Sequence, residues 1–193
     1  MKQGRLEWDI DGCDWPHRAA SRFVQAGGTR WHVQIAGAGP AVLLVHGTGS
    51  ASHSWRHLLP LLSTQYTVLA PDLPGHGFSG PPANGRYGLD DLAHGLAALT
   101  KELALVPHIV AGNSAGAAIV ARYALDTASR PARLVSINGA LLPLSGVSGF
   151  LFPPLARVAA ASPLIANLFA RTAGDARAVE RMVQGTGSRI DEQ

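Results

Sequence analysis

The sequence predicts an α/β fold, in which an antiparallel N-terminal hairpin leads into a mostly parallel sheet. Three observations predict it. Polar and apolar residues alternate around a Gly-Gly pair near the N-terminus, short apolar strands then alternate with amphipathic helices, and hydrophobic residues make up 47% of the 193 positions against 15% charged. A chain of this length and composition can bury one core. Strands that alternate with helices are typical of parallel β-α-β units with right-handed crossovers.

The first two strands are predicted by a period of two. Residues 21–26 and 30–35 alternate polar and apolar side chains on either side of Gly27-Gly28, which indicates a tight β-hairpin. The run from Ala41 to Val45 is apolar throughout and is followed by a glycine-rich loop. An unbroken apolar strand of this kind is typical of the centre of a sheet that is covered on both faces.

The remaining elements follow in a regular order. Apolar residues at helical spacing predict a helix over 52–62, a short strand follows at 66–70, and a helix with acidic residues in its first turn is predicted over 89–105. The last elements before residue 139 are two strands and the helix between them, at 107–111, 133–137 and 114–125.

The chain changes character after Asn138. Residues 140–170 are rich in Leu, Ala, Pro and Gly, and prolines interrupt the helical stretches. We therefore expect residues 1–139 to form the N-terminal part of the α/β core and 140–193 to form an incomplete helical cap or insertion. The apolar side chains of 150–170 fit a roof over a cleft, which we favour, or a contact with a membrane surface.

Composition excludes several classes of function. The formal net charge is +3 and the arginines are spread along the chain, which does not indicate nucleic-acid binding. A single cysteine, Cys13, excludes an internal disulfide framework and a thiolate metal cluster. The sequence contains no metal-ligand or Walker A spacing, and no long apolar run or signal peptide. We expect no metal, no cofactor, no transmembrane span and a cytoplasmic protein.

The strongest chemical signal is Gly112-Asn113-Ser114-Ala115-Gly116, a G-x-S-x-G motif. It follows a predicted buried strand directly and opens a predicted helix, which is the context that a nucleophile elbow requires. The glycines keep side chains away from the crowded turn. We therefore expect Ser114 to be a catalytic nucleophile.

The second signal is His46-Gly47-Thr48-Gly49, at the end of the central strand. Acyl transfer creates an oxyanion that needs preorganised N–H donors, and we expect the backbone of Thr48 and of Ala115 to supply them. His46 is expected to fix this loop through hydrogen bonds to backbone rather than to act as a base. His46, Gly47, Gly49 and Asn113 are the expected substrate-binding residues beside the nucleophile.

A further glycine motif allows a competing interpretation. Residues 75–80 match G-x-G-x-x-G, the dinucleotide-binding fingerprint, but Pro81-Pro82 follow where a helix should begin. The context therefore excludes a nucleotide site. Arg86 and Tyr87, in the loop before the helix at Leu89, fit either exposed loop residues or the lining of a cleft, and both interpretations stay open.

These three motifs, HGTG at 46–49, DLPGHGFS at 72–79 and GNSAG at 112–116, together resemble the α/β-hydrolase fold. Longer stretches resemble one of its families, the magnesium-chelatase accessory proteins (BchO) of bacteriochlorophyll synthesis. The chain departs from that family at Asn113, where histidine is usual, and in being shorter. The stretches that carry the resemblance are 14–24, 27–62, 70–80, 112–125, 137–146 and 186–191.

The histidines are distributed unevenly along the chain. All eight precede Ser114, and the last is His108. In α/β-hydrolases the triad follows the order serine, acid, histidine, and a serine without an adjacent base is a poor nucleophile. We therefore expect this chain alone to be nearly inert. Either it is the N-terminal part of a longer protein, which we favour, or the serine is used for binding and the triad is dispensable.

The resemblance implies two functions of different class. The first is a serine hydrolase acting on an ester or acyl bond of a hydrophobic molecule, such as a tetrapyrrole or a lipid. The second is a non-catalytic accessory protein of magnesium chelatase that holds a pigment in the same pocket. Either protein would be cytoplasmic or peripheral to the photosynthetic membrane.

Overall fold

The computed structural model describes residues 6–126 and 130–139. Within these residues six strands form one sheet in the order β1-β2-β4-β3-β5-β6. β1 pairs antiparallel with β2 and β2 with β4, whereas β3 pairs parallel with β4 and with β5, and β5 with β6. The predicted fold class is confirmed. The strands are Ser21–Ala26, Thr29–Ala36, Ala41–Val45, Thr67–Pro71, Pro107–Asn113 and Arg133–Ile137.

The N-terminal hairpin has the tight turn that its sequence predicts. Ala26 of β1 faces Thr29 of β2 across the sheet, so only Gly27 and Gly28 form the turn. Their φ angles are +55° and +75°. Positive φ at both central residues is typical of the type I′ turn, which matches the right-handed twist of the two strands.

Strand β3 lies at the centre of the sheet. All five of its residues are buried, as an apolar strand between two parallel neighbours should be. The carboxyl ends of β3, β4 and β5 point to the same edge, because the three strands are parallel. The loops that carry the three motifs therefore leave the sheet side by side.

Helices cover the two faces of the sheet. α3 (Leu89–Glu102) and α4 (Ala115–Asp126) pack against each other, and their buried side chains share a core with β2, β3 and β5. A 3₁₀ turn at Ser52–Trp55 and helix α2 (Leu58–Leu62) cover the other face. A short helix α1 (Trp8–Asp11) and a 3₁₀ turn at Arg18–Ala20 precede the hairpin.

The prediction of one continuous helix over 52–62 is wrong. The chain instead forms the 3₁₀ turn and then α2, with a break at Arg56 and His57. Pro60 has no N–H to donate to the carbonyl group of Arg56, and its ring crowds the residue four positions earlier. That carbonyl oxygen instead accepts a hydrogen bond from Nε2 of His17, at 2.5 Å.

Other boundaries shift by a few residues. α3 ends at Glu102 rather than at 105, and Ala104 has a φ of +52°, which cannot continue a right-handed helix. β5 extends to Asn113, so the strand ends directly before Ser114. The predicted cap at 140–193 lies outside the described residues.

Candidate active site

Ser114 occupies a sharp turn between β5 and α4. Its φ is +52°, in the left-handed region that serine rarely adopts, and its side chain is exposed. A Cβ atom on Gly112 would lie 2.3 Å from the carbonyl oxygen of Gly116, and one on Gly116 would lie 2.3 Å from that of Val45. Both positions therefore require glycine. The turn has the geometry of a nucleophile elbow.

The elbow is also held from the side of β6. The backbone N–H of Ser114 donates to the carbonyl oxygen of Ile137 at 3.0 Å, and the Ser114 carbonyl accepts from the N–H of Ala117 at 3.1 Å. The strained backbone is thus fixed by its neighbours, as positive φ at a functional residue requires.

The loop after β3 lies directly against Ser114. A Cβ atom on Gly47 would be 3.0 Å from Cβ and 3.6 Å from Oγ of Ser114. Gly47 is buried, whereas Thr48 and Gly49 are exposed, and Gly49 has a φ of +72°. Thr48 and Ala115 line the same cavity. The two residues expected to supply the oxyanion donors therefore lie in the wall of one cavity.

His46 is fully buried, and both of its ring nitrogens bond to backbone groups. Nδ1 lies 2.7 Å from the carbonyl oxygen of Gly47, and Nε2 accepts from the N–H of Leu73 at 2.9 Å. Burial lowers its pKa to about 4, so the ring is neutral at pH 7, with Nδ1 as the donor. His46 therefore ties the loop after β3 to the loop after β4. This geometry favours a positioning role over contact with a substrate.

A cavity of about 350 Å³ begins at Thr48 and Ala115. Its lining comes from the first turns of α3 and α4 and from the loops after β3 and β4. Its polar lining consists of Thr48, His76 and Tyr87. Its apolar lining consists of Leu73, Leu89, Leu92, Ala118 and Ile119.

Asp72 anchors the loops that surround this cavity. It is fully buried, and Oδ1 accepts from the N–H of Ser52 at 2.7 Å, while Oδ2 accepts from the N–H of Phe78 at 3.0 Å. Oδ2 also lies 2.8 Å from Nδ1 of His32, which is buried as well. Burial raises the pKa of Asp72. The hydrogen bond to His32, the electrostatic effect of His32 and the N–H groups of Ser52 and Phe78 lower it by more, so the pKa of Asp72 is lowered from its ordinary value.

The other residues that the sequence analysis singled out lie at different positions relative to Ser114 and the cavity. Asn113 ends β5 and is half-buried beside Ser114. Tyr87 lines the cavity, with its ring over Gly75, where a Cβ atom would lie 2.8 Å from it. Arg86 does not line it and instead points to Asp91, with Nε 3.5 Å from a carboxylate oxygen.

Sequence reasoning missed His76 and the Asp72–His32 pair. The signal for His76 was its position between two glycines in the loop after β4, beside the loop that carries Thr48. His32 gave no such signal, because a histidine on an alternating strand predicts neither burial nor its partner. No histidine among residues 6–126 and 130–139 is hydrogen-bonded to the Ser114 hydroxyl.

Within the described ranges no three His, Cys, Asp or Glu side chains come together as a metal site. The helices described here also include none with the length and apolar character needed to cross a membrane.

Comparison with known proteins identifies the fold family. Residues 40–178 match the family described as "alpha/beta hydrolase fold". A Rhodobacter capsulatus protein named magnesium-chelatase 30 kDa subunit is 42% identical over 180 residues, which are 92% of this chain and 63% of that protein. The 2-hydroxy-6-oxo-2,4-heptadienoate hydrolase of Pseudomonas putida is 36% identical over 150 residues, which are 76% of this chain and 52% of that enzyme.

Solved structures also resemble this chain. The crystal structure of a membrane phospholipase A matches 72% of this chain and 45% of its own, with a TM-score of 0.63 and 29% identity. The chain thus spans between 45% and 63% of the length of these three proteins. The turn at Ser114 and the loop after β3 lie together at one edge of the sheet. Because the family match also covers most of the sequence, the chain belongs to the α/β-hydrolase fold family.

Proposed function

We propose that the whole protein is a serine hydrolase that cleaves an ester or related acyl bond of a hydrophobic molecule. Ser114 is the nucleophile, and the backbone N–H groups of Thr48 and Ala115 stabilise the oxyanion. The observation that carries the proposal is the exposed Ser114 at a φ of +52°, with Gly47 packed against it and a cavity beginning at Thr48 and Ala115.

The remaining triad residues belong to the proposal for the whole protein. The histidine base and its acid would lie outside this chain, because all eight histidines here precede Ser114 and the chain spans 63% of the Rhodobacter relative. His46 is excluded as the base by its bonds, since both nitrogens are engaged with backbone and its pKa of about 4 makes it a weak proton acceptor.

A fluorophosphonate probe tests the catalytic proposal on the full-length protein. The Oγ atom of Ser114 attacks phosphorus, an O–P bond forms, the P–F bond breaks with release of fluoride, and the serine proton goes to the base or to solvent. We expect one label per chain, at Ser114, and none in Ser114→Ala. The matched control is Ser54→Ala, which should label as the wild type does. A folded wild-type protein that stays unlabelled would contradict the proposal.

The name of the Rhodobacter relative supports a second candidate, a non-catalytic accessory of magnesium chelatase. In this case the same cavity holds a pigment or part of one, and the partner is the chelatase. The protein would work in the cytoplasm or at the surface of the photosynthetic membrane. The exposed serine then contributes a hydrogen bond rather than a covalent step.

Complementation separates the two candidates. A strain that lacks the gene is supplied with the wild-type or the Ser114→Ala protein, and pigment synthesis is measured. Loss of synthesis at equal protein level supports catalysis. Full support of synthesis by Ser114→Ala supports the accessory role.

A further inference from the structure

The N-terminal segment, residues 7–20, packs against the loops after β3 and β4 from outside the sheet. The centroid of the Trp15 ring lies 5.2 Å from that of His53, in the 3₁₀ turn after β3, and 5.0 Å from that of Phe78, in the loop after β4. Both pairs are T-shaped, an arrangement that packed aromatic rings favour. One side chain of the segment therefore contacts both loops.

A second contact joins the segment to the chain just after the 3₁₀ turn. Nε2 of His17 donates to the carbonyl oxygen of Arg56 at 2.5 Å. His17 has a φ of +54°, in the left-handed region that residues other than glycine rarely adopt. Such a conformation costs about 1 to 3 kcal/mol and persists only where its surroundings fix it. The bond to Arg56 is one of the contacts that fix it.

Both contacts act on the part of the chain that carries Thr48. The N–H of Ser50 donates to the carbonyl oxygen of Gly47 at 3.3 Å, which closes a turn around Thr48. Within the described residues the N–H of Thr48 itself has no hydrogen-bond acceptor. At one end of the turn Gly47 lies against Ser114, and at the other the chain continues into the 3₁₀ turn that the N-terminal segment contacts. The position of the Thr48 N–H therefore depends on both ends.

We propose that the N-terminal segment holds the loop after β3 where the Thr48 N–H stabilises the oxyanion, with Trp15 and His17 as positioning residues. The inference rests on the proposed function, since the oxyanion role of Thr48 belongs to it. Trp15 acts through the ring of His53, and His17 acts through the backbone of Arg56. A donor displaced by about 1 Å can lower a rate about 100-fold, whereas binding changes little, because its bond to the oxyanion forms in the transition state.

Labelling of the full-length protein with an alkyl fluorophosphonate tests this proposal. The maximal rate constant at Ser114 reports the reaction step, and the probe concentration that gives half of that rate reports binding. We expect His17→Gly to lower the maximal rate constant about tenfold and to leave the half-saturating concentration unchanged. Glycine adopts a φ of +54° without strain, so the relief of strain offsets the lost bond to Arg56 in the free energy of unfolding.

Two further variants and a control complete the test. Trp15→Ala removes the ring that packs on His53 and should lower the maximal rate constant about 100-fold, and Trp15→Phe should restore it to within about threefold. His17→Gly provides the test if Trp15→Ala does not fold. Ala104→Gly is the matched control, because Ala104 also has a left-handed φ, of +52°, but follows α3 on the opposite face of the sheet from the 3₁₀ turn. It should keep the wild-type rate constant.

The outcomes separate this inference from the proposed function. A folded wild-type protein that stays unlabelled overturns the proposed function, and the inference with it. A labelled wild type whose maximal rate constant neither His17→Gly nor Trp15→Ala lowers overturns the inference alone. An equal loss in Ala104→Gly, or a change in the half-saturating concentration alone, also overturns it.

Discussion

Hydrogen bonds to backbone groups fix Ser114 and His46 in a conformation or an environment that these residues do not favour by themselves. Ser114 keeps a positive φ because β5, β6 and α4 fix the atoms on both sides of it. His46 stays neutral because burial lowers its pKa, and a carbonyl oxygen and an N–H group bond to its two nitrogens. The strain and the desolvation cost at these two positions are therefore borne by the surrounding fold.

The lowered pKa of His46 predicts a pH dependence of stability. Its pKa in the folded protein is about 4, against an ordinary histidine value of 6.5, so between these pH values the unfolded chain binds a proton that the folded chain does not. The contribution of His46 to the free energy of unfolding is then fully present above pH 6.5 and falls as the pH is lowered toward 4. The loss between pH 7 and 4.5 is about 2 to 3 kcal/mol.

Urea unfolding at several pH values measures this loss against His46→Gln. The variant lacks the titrating group, so its difference from the wild type in free energy of unfolding should shrink by that amount as the pH falls to 4.5. Leu61→Gln, a change at an exposed position that removes no titrating group, should keep a constant difference. Equal pH dependence in the wild type and His46→Gln would contradict a buried neutral His46.

At the scale of elements, turns and breaks are decided by a few residues. Gly27-Gly28 sets the register of the hairpin, and Pro60 divides the predicted helix over 52–62 and frees a carbonyl for His17. The hairpin could be predicted because its turn is local. The break at Pro60 could not be placed, because a proline at position 60 is also compatible with the first turn of a later helix, which is where it lies.

The hairpin turn gives a prediction with a matched control. A Cβ atom on Gly28 would lie 2.7 Å from Cβ of Ala83, whereas one on Gly85 would meet nothing within 4 Å. Their φ angles are +75° and +67°. Both Gly28→Ala and Gly85→Ala therefore carry backbone strain of about 1 kcal/mol, and only the first adds a steric overlap.

We expect Gly28→Ala to lower the free energy of unfolding by at least about 1 kcal/mol more than Gly85→Ala does. Chemical denaturation of the two variants side by side measures the difference. Equal losses would mean that the hairpin turn does not pack against the segment containing Ala83.

At the scale of the whole molecule, Asp72 joins three segments that are far apart in the sequence. Its carboxylate binds Ser52 at the start of the 3₁₀ turn that follows β3, Phe78 in the loop after β4, and His32 on β2. The rings of Trp8 and Trp15, from the N-terminal segment, pack around His32 at centroid distances of 4.8 and 5.9 Å. The N-terminal segment is thereby connected to the loops of the candidate active site.

Asp72→Asn should be strongly destabilising. The amide replaces one acceptor oxygen with an NH₂ donor, so a buried N–H group loses its acceptor. Removal of one member of a buried pair costs about 3 to 5 kcal/mol in the free energy of unfolding. Asp9→Asn is the control, because Asp9 is exposed and lies 3.7 Å from Arg18, a surface pair worth at most about 1 kcal/mol. Urea denaturation measures the free energy of unfolding of both variants. A loss below 1 kcal/mol for Asp72→Asn would contradict the anchoring role.

The sequence by itself determined the order of the main strands and helices along the chain and the position of the sharp turn at Ser114. Hydrophobic periodicity is local, and G-x-S-x-G reports its own strand-to-helix context, so Ser114, Thr48 and Ala115 could be named before any coordinates. Only the tertiary structure decided the cavity, the burial of His46 and the Asp72–His32 pair. These depend on contacts between residues 27 to 40 positions apart, such as His46 with Leu73, and no local pattern encodes such contacts.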